Sequence, residues 1–324
     1  MNRLRPFAFL IGLALFCYLL SSLNLEASWA RLKQLNLGVF FLALLIGTPE
    51  ILFKSLRLKS FVAKAKSHIS LKHAILSFLS GQPLAAVTPG KLGDVSRIVL
   101  LNRYGHISMP TALAVHAADR IYDLASILLL AVVGLVSFIT EWGQGGPALA
   151  TLIGILAGMT LILVLLNPRW MRFFLEPLVL GLLSKPLATR LSHHAKEFTG
   201  SLQSLLVPSF KIFGPFVLSF LAWETGMLRS YLMAMALGLP LSYLKFVLLA
   251  PVMVVIELLP ISILGFGPRE KALFMLFTTN SLRPEDLLVF SMLMVVGGPV
   301  FTSLLGIPAA MQILPKGPTP HEPS

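Results

Sequence analysis

Charge and cysteine are both scarce in this chain. Of 324 residues only 12% are Asp, Glu, Lys or Arg, and there is a single cysteine. An ordinary soluble domain carries about 25% charged residues, so a shortfall of this size excludes a water-facing surface over most of the chain. The lone Cys17 excludes a disulfide framework or a cysteine metal cluster built within one chain. Acidic residues are the scarcer sign, 14 against 26 Lys and Arg, for a net charge of +12. The basic residues sit beside the ends of apolar blocks rather than on one polar domain. They therefore read as topology signals and contacts for anionic head groups, and nucleic acid is not expected as a partner. No G-x-x-x-x-G-K-S/T phosphate loop occurs, so direct ATP coupling within the chain is not expected.

What is abundant is apolar sequence: 56% of the residues, gathered into long blocks. A hydrocarbon core about 30 Å thick takes roughly 20 helical residues to cross. Blocks at 6–23, 38–53, 110–139, 149–166, 212–237 and 287–314 meet or approach that length. The expected fold class is all-α, a polytopic transmembrane helix bundle with about six full spans. Two further stretches bring the upper count to eight. One, 71–87, runs into Thr88-Pro89-Gly90-Lys91-Leu92-Gly93-Asp94. The other, 246–264, carries Pro251, Glu257 and Pro260 before Gly265-Phe266-Gly267-Pro268. Both read as helices broken by Pro and Gly. Irregular backbone at membrane depth must be covered by protein or line a wet cavity, so the breaks mark either re-entrant hairpins in the interior or surface loops between complete spans.

Arg3 and Arg5 ahead of the 6–23 block resemble a signal peptide, but the block is longer than a typical h-region and Asn24-Leu25-Glu26-Ala27-Ser28-Trp29-Ala30 is a poor cleavage site. An uncleaved anchor is expected. Residues 54–72 hold Lys54, Arg57, Lys59, Lys64, Lys66 and Lys72 with no acid, which predicts a cytoplasmic loop and places both termini in the cytoplasm. One membrane domain is expected over 1–314. Within it, the basic connector 167–209 is expected on the inner leaflet, its adjacent His193 and His194 unable to share a helix face. Residues 315–324 read as a disordered tail.

The halves 38–140 and 212–314 repeat one order of elements. At an offset of 174, Glu50 falls on Glu224, Gly93 on Gly267 and Pro110 on Pro284. This predicts an inverted repeat, an arrangement that many transporters use to place a substrate site near the bilayer midplane.

Ionisable residues within spans are costly and mark partners or water. Asp119 and Asp123, four apart, share a helix face, whereas Arg120 lies about 100° round from Asp119 and need not pair with either. Two readings stay open: bonds to neighbouring helix ends at the interface, or a phosphate clamp by Arg120 beside the first break. No metal site is expected, because Asp119 and Asp123 lack a second acidic cluster. Arg97 and Arg269 each follow a break closely, as suits an anionic head group. Adjacent Arg269 and Glu270 are expected to serve different partners. Glu50, Glu224 and Glu257 are candidates for proton coupling.

Thr88-Pro-Gly-Lys-Leu-Gly-Asp-Val-Ser-Arg97, Asp119-Arg-Ile-Tyr-Asp123 and Gly265-Phe-Gly-Pro-Arg-Glu270, in that order, resemble the membrane region of lysylphosphatidylglycerol synthase/flippase proteins and their stand-alone relatives in bacteria and archaea. The resemblance runs from about Phe7 to Ala310. It implies several helices with re-entrant segments, a role in moving or handling lipids, and residence in the cytoplasmic membrane of a prokaryote. It also implies a substrate site at Thr88, Gly90, Gly93, Asp94, Arg97, Asp119, Arg120, Asp123, Gly265, Gly267, Arg269 and Glu270, with no cofactor and no catalytic residue. The family pattern has a second Gly, a Glu and a further Glu where this chain has Lys91, Asp94 and Asp119. Without the soluble aminoacyl-transferase domain of two-part members, the chain is expected not to aminoacylate lipid. The leading expectation is a flippase for an anionic phospholipid or glycolipid. The alternatives are a membrane-embedded lipid-modifying enzyme, or a non-catalytic partner of lipid-synthesis enzymes.

Overall fold

The computed structural model describes residues 25–142, 154, 185–206, 213–257, 267–277 and 282–313. The predicted span 6–23 and all of 149–166 but Gly154, Cys17, the break residues Pro260 and Gly265, and the 315–324 tail lie outside the described residues. Helices make up the fold, and no strand occurs among the described residues. In chain order they are α1 (Leu25–Lys33), α2 (Leu37–Lys64), α3 (Leu71–Ser80), α4 (Gln82–Val87), a 3-10 segment (Pro89–Ser96), α5 (Arg97–Gly105) and α6 (Met109–Trp142). After these come α7 (Lys185–Leu206), α8 (Phe213–Ala236), α9 (Tyr243–Glu257), α10 (Pro268–Phe277), α11 (Pro284–Val295), a π turn (Val296–Val300) and α12 (Phe301–Ala310). Leu37–Lys64, Met109–Ser137 and Glu285–Ile313 are long and apolar enough to cross a membrane. The chain is a multi-pass, all-α membrane protein.

Local chemistry sets the helix ends. The Asn36 side chain accepts from the Val39 N–H at 3.1 Å and caps α2. Inside α2, Pro49 cannot donate to the Leu45 carbonyl, and the Thr48 hydroxyl takes its place at 2.7 Å. The helix therefore runs past the predicted end at 53 to Lys64, where Lys66 turns the chain with φ 60. Much of the expected 54–72 loop is helix. Pro251 likewise leaves α9 unbroken. The Ser108 hydroxyl accepts from the Thr111 N–H at 3.2 Å and starts α6.

The first predicted break is real but begins earlier, at Gly81, between α3 and α4. At 10 and 9 residues, α3 and α5 are too short to cross a bilayer, and they pack against each other. A Cβ on Gly93 would strike the Leu84 backbone, and one on Gly81 would meet the Asp94 side chain. Glycine thus lets the break fold tightly on itself. Over it lies α12, whose Gly306 abuts the Leu79 carbonyl and whose Ser303 hydroxyl donates to the Gln82 carbonyl at 3.2 Å. The turn at Gly81 is thereby covered by protein.

Two large apolar cores result among the described residues, beside a small cluster of Leu128, Ala131, Leu135 and Val252. One gathers Leu58, Phe61, Phe78, Leu101, Val115 and Tyr122 from α2, α3, α5 and α6, with Leu202 and Leu205 of α7. The other gathers Met233, Phe246, Phe277 and Phe290 from α8 to α11. Joining them, α2 and α8 pack along their length: Asn36 bonds Ala236, Glu50 bonds Arg229 and Arg57 bonds Ser219. As one number rises the other falls, so the two helices are antiparallel. A second close contact sets Gly134 of α6 on the Leu248 backbone of α9.

Candidate functional site

Spacing on α6 puts the Asp119 and Asp123 carboxylates one turn apart, and α2 presents Arg57 to both. Arg57 Nε donates to Asp119 Oδ1 at 2.7 Å, and its Nη1 to Asp123 Oδ1 at 3.0 Å and to Ser219 Oγ of α8 at 2.6 Å. Arg97, opening α5, donates through Nη1 to Asp119 Oδ2 at 3.1 Å and pairs with Asp94. Its guanidinium lies 5.1 Å from the Phe78 ring centroid. Arg120 completes the set, with Nη2 2.8 Å from Asp119 Oδ2 and Nη1 3.4 Å from Asp94 Oδ2 and 3.5 Å from Asp123 Oδ2. Three guanidiniums and three carboxylates thus form one neutral network.

Two expectations change here. Arg120 does pair with Asp119 and Asp123, because a long flexible stem folds its head back over the acids even where Cα directions differ. Arg57, which the basic 54–72 stretch suggested was a loop charge, is fully buried. Burying ions in this way costs several kcal/mol each unless partners repay it, so such a network forms only where acids and arginines meet in good geometry. The Arg120 side chain, 36% exposed, is the member that reaches open space.

At the second break, Gly267 has φ 91, a conformation suited to glycine, and its N–H donates to Glu270 Oε2 at 2.6 Å. Arg269 Nε donates to Ser291 Oγ of α11 at 2.7 Å, and its Nη2 to Glu270 Oε1 at 2.8 Å, while Glu257 Oε1 lies 3.8 Å away. Arg269 and Glu270 were expected to serve different partners. Instead they pair, both also bonded to Ser291. At the first break, Thr88 Oγ1 accepts from the Gly93 N–H at 2.7 Å, and Gly90 lies in the 3-10 segment.

Between the two cores is a cavity of about 390 Å³. Its charged wall comprises Glu50, Lys54, Asp94, Arg120, Asp123, Arg229, Glu257 and Arg269, with Trp223 between them and Leu124, Ile127, Phe246 and Met253 among the apolar residues. The wall therefore collects predicted residues from both breaks. Arg97 and Asp119 sit behind it, buried and holding its charged members in place. Glu224 is half-buried and off the cavity wall, unlike Glu50. Sequence reasoning missed Arg57, Lys54, Trp223 and Ser219. A signal was present: Glu50, Lys54 and Arg57 at i, i+4 and i+7 share one helical face.

Chemically, the cavity can accept a polar head group among fixed charges while apolar side chains border it. It has room for a head group rather than whole acyl chains, which suits lipid whose tails stay in the bilayer. The family model described as the lysylphosphatidylglycerol synthase TM region matches residues 7–306. No curated protein and no solved structure matches the chain significantly.

Proposed function

Because the chain belongs to the lysylphosphatidylglycerol synthase TM-region family, we propose that its membrane-lipid role is that of a flippase, carrying an anionic phospholipid or glycolipid head group between leaflets. The observation that carries this reading is the cavity itself, bordered by charged residues from both breaks and from the α2–α8 pair that joins the two cores. In it Arg120 and Arg269 contact the head group. Asp94, Arg97, Asp119, Asp123 and Glu270 orient those arginines, and Thr88, Gly90, Gly93 and Gly267 shape the breaks. Glu50 and Glu257 remain the coupling candidates on the wall.

We further propose that the two breaks are re-entrant, related by an inverted repeat, in the cytoplasmic membrane of a prokaryote with both termini inside. The short, mutually packed α3 and α5 support this. So does the antiparallel course of α2 and α8, the repeat counterparts of each other. Cysteine labelling at Ser108 and Ser281 should show opposite accessibility, and labelling of both from one side would sink the inverted arrangement.

The direct test is reconstitution in liposomes with head-group-varied fluorescent lipids. Faster leaflet exchange than in empty liposomes is expected, with Arg120→Ala and Arg269→Ala abolishing it while the protein stays folded. Exchange no faster than empty liposomes for every head group would reject the reading.

A further inference from the structure

On the cavity wall, two cations share a single carboxylate. Glu50 Oε1 accepts from Lys54 Nζ and Oε2 accepts from Arg229 Nη1, both at 2.7 Å. The adjoining Asp94, Asp119 and Asp123 network is neutral within itself, and the opposite excess, Glu257 and Glu270 against Arg269, belongs to the second break, so the positive charge is local to the Glu50 group. The three side chains are only 12–14% exposed, which limits screening by water. The Arg229 Nε is buried without a hydrogen-bond partner. The Lys54 ammonium rests 5.1 Å from the Trp223 ring centroid, and Trp223 is itself fixed by its Nε1 donating to the Asp123 carbonyl at 3.1 Å.

The backbone makes room for these groups. A Cβ on Gly47 of α2 would collide with the Arg229 side chain, and one on Gly298 would come within 3.3 Å of Arg229 Nη2. Gly298 belongs to the π turn Val296–Val300, a helix irregularity often found at functional sites. Residues of three helical elements are thus kept small around one guanidinium, and Gly226 and Gly298 open onto the cavity.

We propose that Lys54 and Arg229, held by Glu50 beside Trp223, form a phosphate-binding subsite of the cavity, distinct from Arg120 and Arg269. Its ligand is a phosphate group, carried either by a lipid head group or by free phosphate. An ammonium paired with a guanidinium suits the charge and the several oxygens of that group. On this assignment Glu50 spaces two cations rather than carrying a proton. The subsite rests on the cavity being a ligand site, but not on transport.

The test uses the purified full chain in uncharged detergent, titrated separately with dihexanoyl phosphatidic acid, dihexanoylglycerol and inorganic phosphate. Tryptophan emission is followed, Trp223→Phe identifies the reporting indole, and calorimetry gives affinities. A phosphate-bearing probe should bind and dihexanoylglycerol should not. Lys54→Met and Arg229→Gln should each weaken that binding about tenfold or more, as loss of one charge-assisted contact does. Lys54→Arg should restore it, and Glu50→Gln should strengthen it. Binding of phosphatidic acid alone assigns the lipid source, and an equal response to inorganic phosphate assigns the free ion. No phosphate-bearing probe binding, or unchanged affinity in Lys54→Met, would overturn the subsite, and the Lys54 variants decide even if Arg229→Gln does not fold. Phosphate binding without leaflet exchange would leave the subsite standing and remove transport.

Discussion

Replacing Arg57 with methionine is the sharpest test of how this molecule holds its charges. Arg57 is 0% exposed and makes three bonds, to Asp119, Asp123 and Ser219, on two other helices. Methionine fills much of the volume but donates nothing. Asp119 would keep Arg97 and Arg120, while Asp123 would keep only Arg120 at 3.5 Å. Three arginines against three aspartates would become two against three, leaving one buried negative charge uncompensated. Breaking one side of a buried pair costs about 3–5 kcal/mol, so Arg57→Met should lose roughly 3 kcal/mol or more. Arg120→Gln, at the exposed edge with water to screen it, should lose less. The measurement is equilibrium unfolding in mixed micelles titrated with SDS, for the single variants and for Arg57→Met combined with Asp123→Leu. The double variant should recover part of the loss, because the least supported carboxylate is then gone. A loss below about 1 kcal/mol in Arg57→Met, the range of exposed surface pairs, would refute the claim that this network is dry and held by its pairing.

Further outcomes can be read with the same unfolding assay. Gly93→Ala should cost about 1–3 kcal/mol, because its Cβ would push the Leu84 backbone out of the first break. Gly134→Ala should be comparably destabilising, since its methyl would enter the Leu248 carbonyl and part α6 from α9. A wild-type profile for either would mean that the contact gives way easily. Thr48→Val should cost about 1 kcal/mol by leaving the Leu45 carbonyl beside Pro49 without its donor, and Thr48→Ser should retain most of the stability.

Much of the architecture was legible in one dimension. The predicted spans 110–139 and 212–237 agree closely with Met109–Trp142 and Phe213–Ala236, because helix ends follow from hydropathy and from capping at Ser108. The first break was visible as Pro and Gly, yet it starts at Gly81 because helix geometry there answers to the Asp94 side chain and to α12. Pro251 misleads as a helix breaker, and Pro49 likewise sits inside an unbroken helix. In α2 a neighbouring hydroxyl supplies the missing donor, a detail of position rather than composition.

Charge partners were not legible. Arg57 lies 62 residues from Asp119 and 162 from Ser219, and a cluster of lysines around it masked its burial. The 174-residue offset matched Glu50 with Glu224, but only Glu50 reaches the cavity, because packing against Arg229 turns it inward. By itself the sequence determined the solvent of this protein, the course of its long helices and the places where helix fails, since each depends on local hydropathy and backbone chemistry. Which charges meet, and so where along the cavity wall positive charge gathers, was decided only by tertiary structure. Electrostatic pairing acts across a few ångströms of space, however far apart its partners stand along the chain.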